Sequence, residues 1–399
     1  MNSHNTNVRH LCLIGGGHSH AIVAKRLGIH RVRGLNVTLI STDRLTPYSG
    51  MLPGLIAGHY TMESCHIDLM RLCQWAEIKF ISSSVNKIDT NNRLVYSDRA
   101  EPVKYDWLSV NTGSQPDLSG ISGSDQWGCA VKPVKDFLQQ WRLWLGVNAD
   151  SKRKQRIVVV GGGAAGVEVM LAMYYRIKKN TSINAVFTLI NASQTILSSY
   201  NQSVRYFFQK HMQLLGIIEV CNASVIAIDK DYLYLKNGAS IAYDFVVWTI
   251  RAGAQKWPFA SHLKCDQRGF ILVDQYLRSI SHPEIFAAGD CAAFMPCELP
   301  KAGVYAVRQG AVLSKNIMAA HHKKSLVSYE PQQRFLSLLT TGPRYAVASR
   351  GSIFFHGKWV WYWKNYIDRG FMKQFKVCFL LICLSNAEPG FDYLCSCFF

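Results

Sequence analysis

The chain has 399 residues, 49% of them hydrophobic, with 44 Lys and Arg against 26 Asp and Glu and a formal net charge of +18. That length and apolar content suit a globular protein with two or three cores. The twelve cysteines are scattered, no run reaches about 18 consecutive apolar residues, and the N-terminus has no long apolar stretch before its first strand; a secreted disulfide scaffold, a membrane span and a secretory leader are therefore not expected, and a cytoplasmic protein is.

In chain order, Leu11 to Ile14 reads as a buried strand that enters a glycine turn, IGGGHSH, around Gly15, Gly16 and Gly17. A helix is predicted from Ala21 to Leu27 and a second strand from Leu35 to Ile40, which makes a βαβ unit. In such a turn one glycine permits the bend, the next lets the backbone approach a pyrophosphate, and the third lets helix and strand pack closely, with the phosphate at the helix N-terminus. Ser41 stands where an acidic residue ordinarily holds a ribose, and its hydroxyl can still bond one. A loop rich in Pro and Gly follows over residues 46–60, and YDWLSVNTGSQP closes the unit with a strand and a Thr112-Gly113 turn.

The pattern then repeats. A connector with a helix from Val134 to Leu145 leads to a strand at Arg156 to Val160 and a second turn, VVVGGGAAGVE, holding Gly161, Gly162, Gly163 and Gly166. Its second strand, Ala185 to Ile190, ends at Asn191, and YDFVVWTIRAGAQ, with Gly253, echoes YDWLSVNTGSQP. Two such turns in one chain predict an α/β fold with two Rossmann-like dinucleotide-binding domains, each of three layers, and two nucleotides held face to face. Further on, HPEIFAAGDCAAF reads as a strand running into Gly289 and Asp290 at a helix start, placing a carboxylate for a polyol hydroxyl beside backbone N–H groups.

The charge gathers late. Residues 301–376 carry 13 Lys and Arg against Glu330 and Asp368, a net +11, together with the WVWYW run from Trp359 to Trp363. This mixture suits an anionic membrane surface, an acidic protein partner or a solvated basic interface domain. A nucleic-acid site is not expected, since no binding motif accompanies the charge. Nor is a metal, because His18 and His20 have no acidic or cysteine neighbour.

The motifs LIGGGHSH, NTGSQP, VVVGGGAAGVE, FVVWTIRAGA and IFAAGDCA, in that order, resemble the FAD-dependent pyridine nucleotide-disulfide oxidoreductase superfamily, in the branch of type II NADH dehydrogenases and sulfide:quinone reductases. TPYSGMLPGLIAGHY, PKAGVYAVRQG, LLTTGPRYAVASRG and WKNYIDRGFM are similar to the flavoprotein module found upstream of selenide, water dikinase in fused proteins. The resemblance implies FAD at Gly15, Gly16, Gly17 and His18, with Ser41, Thr112, Gly113, Gly289 and Asp290 also in contact, and NAD(P)H at Gly161, Gly162, Gly163, Gly166, Asn191 and Gly253. It implies Glu168 near the nicotinamide, although that residue also reads as an ordinary carboxylate near a helix N-terminus, and Lys301 near the flavin pyrimidine, although it also reads as a surface lysine.

The same resemblance implies a discontinuous FAD domain (residues 1–116 and 265–325), an NAD(P)H domain (150–256) and an α+β interface segment (326–399). It implies an NAD(P)H:acceptor oxidoreductase whose electrons go to a quinone, with peripheral attachment to the inner face of a membrane and a homodimer among the expected assemblies. The alternatives are a sulfide:quinone-reductase-like enzyme, a sulfur or selenium acceptor, and a flavin-binding redox sensor.

The sequence also departs from the family pattern. His20 replaces the third glycine of the first turn, and Asn191 leaves NADH and NADPH undistinguished. The CxxxxC redox pair is missing from residues 46–64; Cys291 and Cys297 lie near the expected flavin end, as a substitute pair or as inert packing. The tail after Lys376 holds four cysteines and reads as a surface anchor, an element covered by a partner subunit, or a non-ancestral end.

Overall fold

The computed structural model describes residues 8–385 apart from Gln333. The first unit contains β1 (Arg9–Ile14), α1 (His18–His30), β2 (Leu35–Ser41), β3 (Lys79–Ser82) and β4 (Trp107–Val110). The second contains β5 (Cys129–Ala130), α2 (Val134–Val147), β6 (Gln155–Val160), α3 (Ala164–Asn180), β7 (Ala185–Ile190), α4 (Gln202–Leu214), β8 (Ile218–Val220) and β9 (Phe245–Trp248). The chain then returns with β10 (Ile285–Ala287) and α5 (Gly303–His321), and closes with β11 (Ser337–Thr340), β12 (Ala346–Arg350), β13 (Ile353–Gly357) and α6 (Lys358–Ser385).

Two five-stranded sheets result, in the orders β10-β4-β1-β2-β3 and β5-β9-β6-β7-β8, and every pairing within them is parallel. Each has a three-stranded antiparallel excursion just before its β4 or β9 strand, over residues 85–104 and 225–242. The repeat seen in the sequence is thus a repeat of topology. The central strands β1 and β6 are buried, with unbroken apolar runs LCLI and IVVV, because both faces of a parallel sheet are covered. In the second unit Ile157 and Val159 of β6 pack on Val167, Met170 and Leu171 of α3, while Val158 and Val160 pack on Val225, Leu233 and Leu235 of the antiparallel excursion. The two repeats also pair with each other: Gln115 and Pro116 form an antiparallel bridge with Gly253 and Ala252, so the echoing segments NTGSQP and IRAGAQ join the units directly.

One apolar core is drawn from residues 11–110 and 263–329, with Met372 and Phe375 of α6 added, and a second largely from residues 129–217 with Phe245 and Val247. The 46–60 loop straddles them: Met51 enters the first core, while Leu52, Ile56 and Ala57 enter the second. Leu339 and Val347 tie the C-terminal sheet β11-β12-β13 to the second core.

Several expectations are corrected. Gly289 and Asp290 begin a three-residue 3-10 turn rather than a helix, because the chain becomes extended again at Ala292–Phe294 to pair with Ile271–Val273; the long helix starts only at Gly303. The first helix starts at His18, directly behind the glycine turn, and not at Ala21. Of the three alternate tryptophans, Trp361 is buried beside Val360, Ala346 and Ala348, so only Trp359 and Trp363 face outward. The last residues of the cysteine-rich tail lie outside the described residues.

Candidate functional site

The first turn is tight for a visible reason. Gly15 has φ +90°, and a Cβ there would stand 2.6 Å from the Asn111 carbonyl oxygen. Its N–H donates to Ile40 (2.7 Å), while Thr46 donates its hydroxyl to the Gly16 carbonyl (2.6 Å), fixing the turn between β2 and the 46–60 loop. Gly17 is the N-cap of α1, and no side chain caps it. Ser41 is buried at the end of β2 and donates to the Asp43 carbonyl at 3.1 Å, leaving its lone pairs for a ligand.

His20 takes the place of the third glycine by making hydrogen bonds instead of a close approach. The ring is buried, with Nδ1 2.7 Å from the Gly15 carbonyl and Nε2 2.9 Å from Ser109 Oγ; its backbone N–H donates to Asn111 Oδ1 at 3.2 Å. Burial lowers its pKa to about 4, against the opposing effect of the Gly15 bond, so the ring is neutral near pH 7. It braces the turn from behind.

In the second turn, Gly161 has φ +122°, and a Cβ at Gly166 would stand 2.6 Å from Thr249 Oγ1, the close helix–strand approach that a third glycine provides. Gly163 caps α3 without a side-chain bond, and a Cβ there would meet nothing within 4 Å. Asn191 is buried under Gly162, with its amide nitrogen donating to the Ser193 carbonyl at 3.0 Å. That amide supports the turn. Gly253 lies in the short bridge between units.

A polar cluster joins the two units. Asp290 pairs with Lys132 at 2.8 Å and accepts from Ser114 Oγ at 3.1 Å. Burial alone would raise its pKa, but Lys132, Ser114 and Lys301 outweigh it and hold the carboxyl below its usual value. Gly289, at φ +74°, brings its N–H to Gln309 Oε1 at 2.6 Å and leaves room for Asn111, whose amide donates to the Ala288 carbonyl. His18 Nε2 and Thr112 Oγ1, beside Gly113, are buried and have no protein partner. Buried polar atoms are ordinarily paired, so these two sites fit a polar ligand. Burial lowers the His18 pKa to about 4, which keeps it an uncharged hydrogen-bonding group.

Lys301 places its ammonium 2.5 Å from the Ala292 carbonyl and 3.9 Å from the Phe270 ring centroid, and burial lowers its pKa; it is not a plain surface lysine. Cys291 is buried and donates to the Val110 and Ala288 carbonyls, with burial raising its pKa, whereas Cys297 is exposed. Inert packing describes Cys291 better than thiolate chemistry.

Glu168 lies on α3 and accepts from both the N–H (2.7 Å) and the hydroxyl (3.0 Å) of Thr340. Burial raises its pKa against the pull of Lys364. Lys364 itself, on α6, donates to the Gly50 carbonyl at 2.5 Å and to Asp368 at 2.6 Å. Phe371 of the same helix stacks on Tyr48, their centroids 4.6 Å apart, and Tyr48 stands edge-on to His18. The C-terminal helix therefore reaches the first glycine turn. Sequence reasoning missed Lys132, which lies in no quoted motif, and gave no role to Asn111, Thr340 and Lys364, although NTGSQP, LLTTGPRYAVASRG and WKNYIDRGFM contain them.

Proteins of known sequence and structure bear on this geometry. A probable NADH dehydrogenase of Dictyostelium discoideum is 26% identical over 304 residues, covering 70% of this chain and 67% of that protein. An internal alternative NAD(P)H-ubiquinone oxidoreductase of Solanum tuberosum is 26% identical over 268 residues, covering 59% of this chain; the chain spans about half of that relative, 53%. The structure of NDH2 from Plasmodium falciparum in complex with NADH superposes with a TM-score of 0.78 at 16% identity, covering 94% of this chain and 98% of that one, a likeness of fold. With two glycine turns on duplicated sheets, and with residues 9–321 matching its family model, the chain belongs to the pyridine nucleotide-disulphide oxidoreductase family.

Proposed function

We propose that the chain is a type II NADH dehydrogenase-like flavoprotein that oxidises NAD(P)H and reduces a quinone. The observation that carries this reading is the presence of two uncapped glycine turns at matching positions of two copies of one sheet, tied together by the 115–116 and 252–253 bridge. The names of the dehydrogenase and ubiquinone oxidoreductase relatives point the same way.

In this reading the Gly15–Gly17 turn and the N-terminus of α1 hold the pyrophosphate of FAD, and the Gly161–Gly163 turn with α3 holds that of NAD(P)H. FAD, when bound, supplies the two-electron exchange between nicotinamide and quinone. Asp290 orients polyol hydroxyls, and His18 and Thr112 present hydrogen-bonding groups without net charge. Lys301, two residues before α5 and held by the Ala292 carbonyl, contributes an ammonium. In the same reading Glu168, held by Thr340, orients the nicotinamide end, and α6 excludes water by covering Tyr48 with Phe371.

The purified protein is expected to be yellow, to bleach on anaerobic addition of NADH, and to recover its colour when a short-chain quinone is added. A colourless protein that takes up no FAD sinks the reading. Recovery with polysulfide but not with quinone moves the acceptor to sulfur species.

The reading extends to a membrane surface. Trp359, Tyr362, Trp363 and Tyr366 lie at spacings of three and four on α6 and are exposed, with Lys358, Arg369, Lys373 and Lys376 on the same helix also exposed. Among the described residues no helix is long and apolar enough to cross a membrane. Cations add roughly 1 kcal/mol each near an anionic surface, and aromatic rings favour the headgroup layer. The protein should sediment with anionic vesicles at low salt and release as ionic strength rises. Failure to bind them at low salt removes the membrane and directs the search to soluble acceptors.

A further inference from the structure

Lys132 stands two residues beyond β5, the edge strand of the second sheet, and Asp290 stands three beyond β10, the edge strand at the matching position of the first. Their side chains meet at 2.8 Å across the boundary between the units, and Lys132 is, among the described residues, the one cation within ion-pair distance of Asp290. The Asp290 side chain is 13% exposed and that of Lys132 41% exposed, so the carboxylate is the buried member and the ammonium reaches in from the surface. Lys301, the other nearby cation, is turned to the Ala292 carbonyl and the Phe270 ring. The remaining polar neighbours, Ser114 and His18, bring no charge.

We propose that Lys132, supplied by the nucleotide unit, is a positioning residue for FAD in the other unit, acting by neutralising and aiming Asp290. The proposal rests on the flavin reading given above. Its physical basis is that His18, the first residue of α1 behind the Gly15–Gly17 turn, lies within electrostatic reach of Asp290, so a dianionic pyrophosphate held at that turn meets the field of the Asp290 carboxylate. An uncompensated buried carboxylate there repels the ligand and has lost its strongest hydrogen-bond donor. Lys132 cancels that charge and fixes the carboxylate so that its free lone pairs face polyol hydroxyls. The pair also makes flavin retention in the first unit depend on the placement of β5 in the second.

This dependence predicts coupling rather than simple loss. Apoprotein is reconstituted with FAD, and binding is followed by quenching of flavin fluorescence in the wild type and in Lys132→Met, Lys132→Arg, Asp290→Asn and the Lys132→Met/Asp290→Asn double variant. Lys132→Met should weaken FAD binding tenfold or more, and Lys132→Arg should retain most of it. Once Asp290→Asn has removed the carboxylate, Lys132 has nothing to neutralise, so the double variant should bind within about threefold of Asp290→Asn alone. The proposal is overturned if Lys132→Met binds FAD as the wild type does, or if the double variant's loss equals the product of the two single losses. If Lys132→Met does not fold, Lys132→Gln is measured against Asp290→Asn on the same criteria. Failure of wild-type apoprotein to bind FAD at all would instead overturn the flavin reading.

Discussion

Gly163→Val is expected to leave FAD in place and to slow flavin reduction by NADH a hundredfold or more, the scale at which misplaced reactants lose rate. The structure makes this substitution clean. Gly163 has φ −74° and ψ 179°, a backbone conformation open to any residue, and a Cβ there meets no protein atom within 4 Å. The added isopropyl group therefore costs the fold little and projects into the space that a pyrophosphate needs in order to reach the N-terminus of α3. Gly166 is a contrasting control: a Cβ there would press on the Gly161 carbonyl and on Thr249, so Gly166→Ala should destabilise the unit itself. Stopped-flow reduction under anaerobic conditions, with flavin content measured on the same sample, decides the matter. A Gly163→Val protein reduced at the wild-type rate would show that NADH binds elsewhere.

The difference between these two glycines also shows what a sequence makes legible. The turns could be read because their demands are local: a positive φ at Gly15 and Gly161, and an uncapped helix start two residues later, leave a fixed spacing of small residues. The repeat could be read because both units need the same apolar strands. The missing CxxxxC pair could be read as well, because residues 46–64 hold no cysteine. Side-chain pairing across long separations left no such trace. Lys132 and Asp290 are 158 residues apart, and Glu168 and Thr340 are 172 apart; nothing near either member signals its partner.

His20 is an intermediate case. Its position announced that the first turn is unusual, but only the hydrogen bonds to the Gly15 carbonyl and Ser109 explain how an imidazole fits. The WVWYW run was legible only in part, for a related reason: Trp359 and Trp363 are exposed, but Trp361 is not. Composition marks it as interfacial, yet α6 lies on β12 and turns Trp361 into a small core with Ala346 and Ala348. Burial is decided by which face of a helix meets a neighbour, and that neighbour is an antiparallel sheet whose strands were not individually legible within the 326–399 segment.

Gly17→Val should remove the flavin altogether and, unlike Gly163→Val, should also lower the stability of the apoprotein. The backbone at Gly17, φ −65° and ψ 171°, tolerates a side chain. The surroundings do not: a Cβ would collide with the Asn111 side-chain oxygen and stand 2.8 Å from the Asn111 carbonyl oxygen. Asn111 cannot yield freely, because its amide nitrogen donates to the Ala288 carbonyl at 2.6 Å and its amide oxygen accepts from the His20 N–H at 3.2 Å. It thereby joins the end of β4 to α1 and to the chain just past β10. Valine thus blocks the approach of a pyrophosphate and disturbs the knot that holds the returning strand, a small-to-large change in a packed site that typically costs about 1–3 kcal/mol. The flavin-to-protein ratio after purification, and thermal unfolding compared with wild-type apoprotein, read the two effects separately. Full flavin content in this variant would refute the assignment of the first turn. Lost flavin with unchanged apoprotein stability would show that Asn111 gives way, and that the effect lies wholly in the ligand's path to the α1 N-terminus.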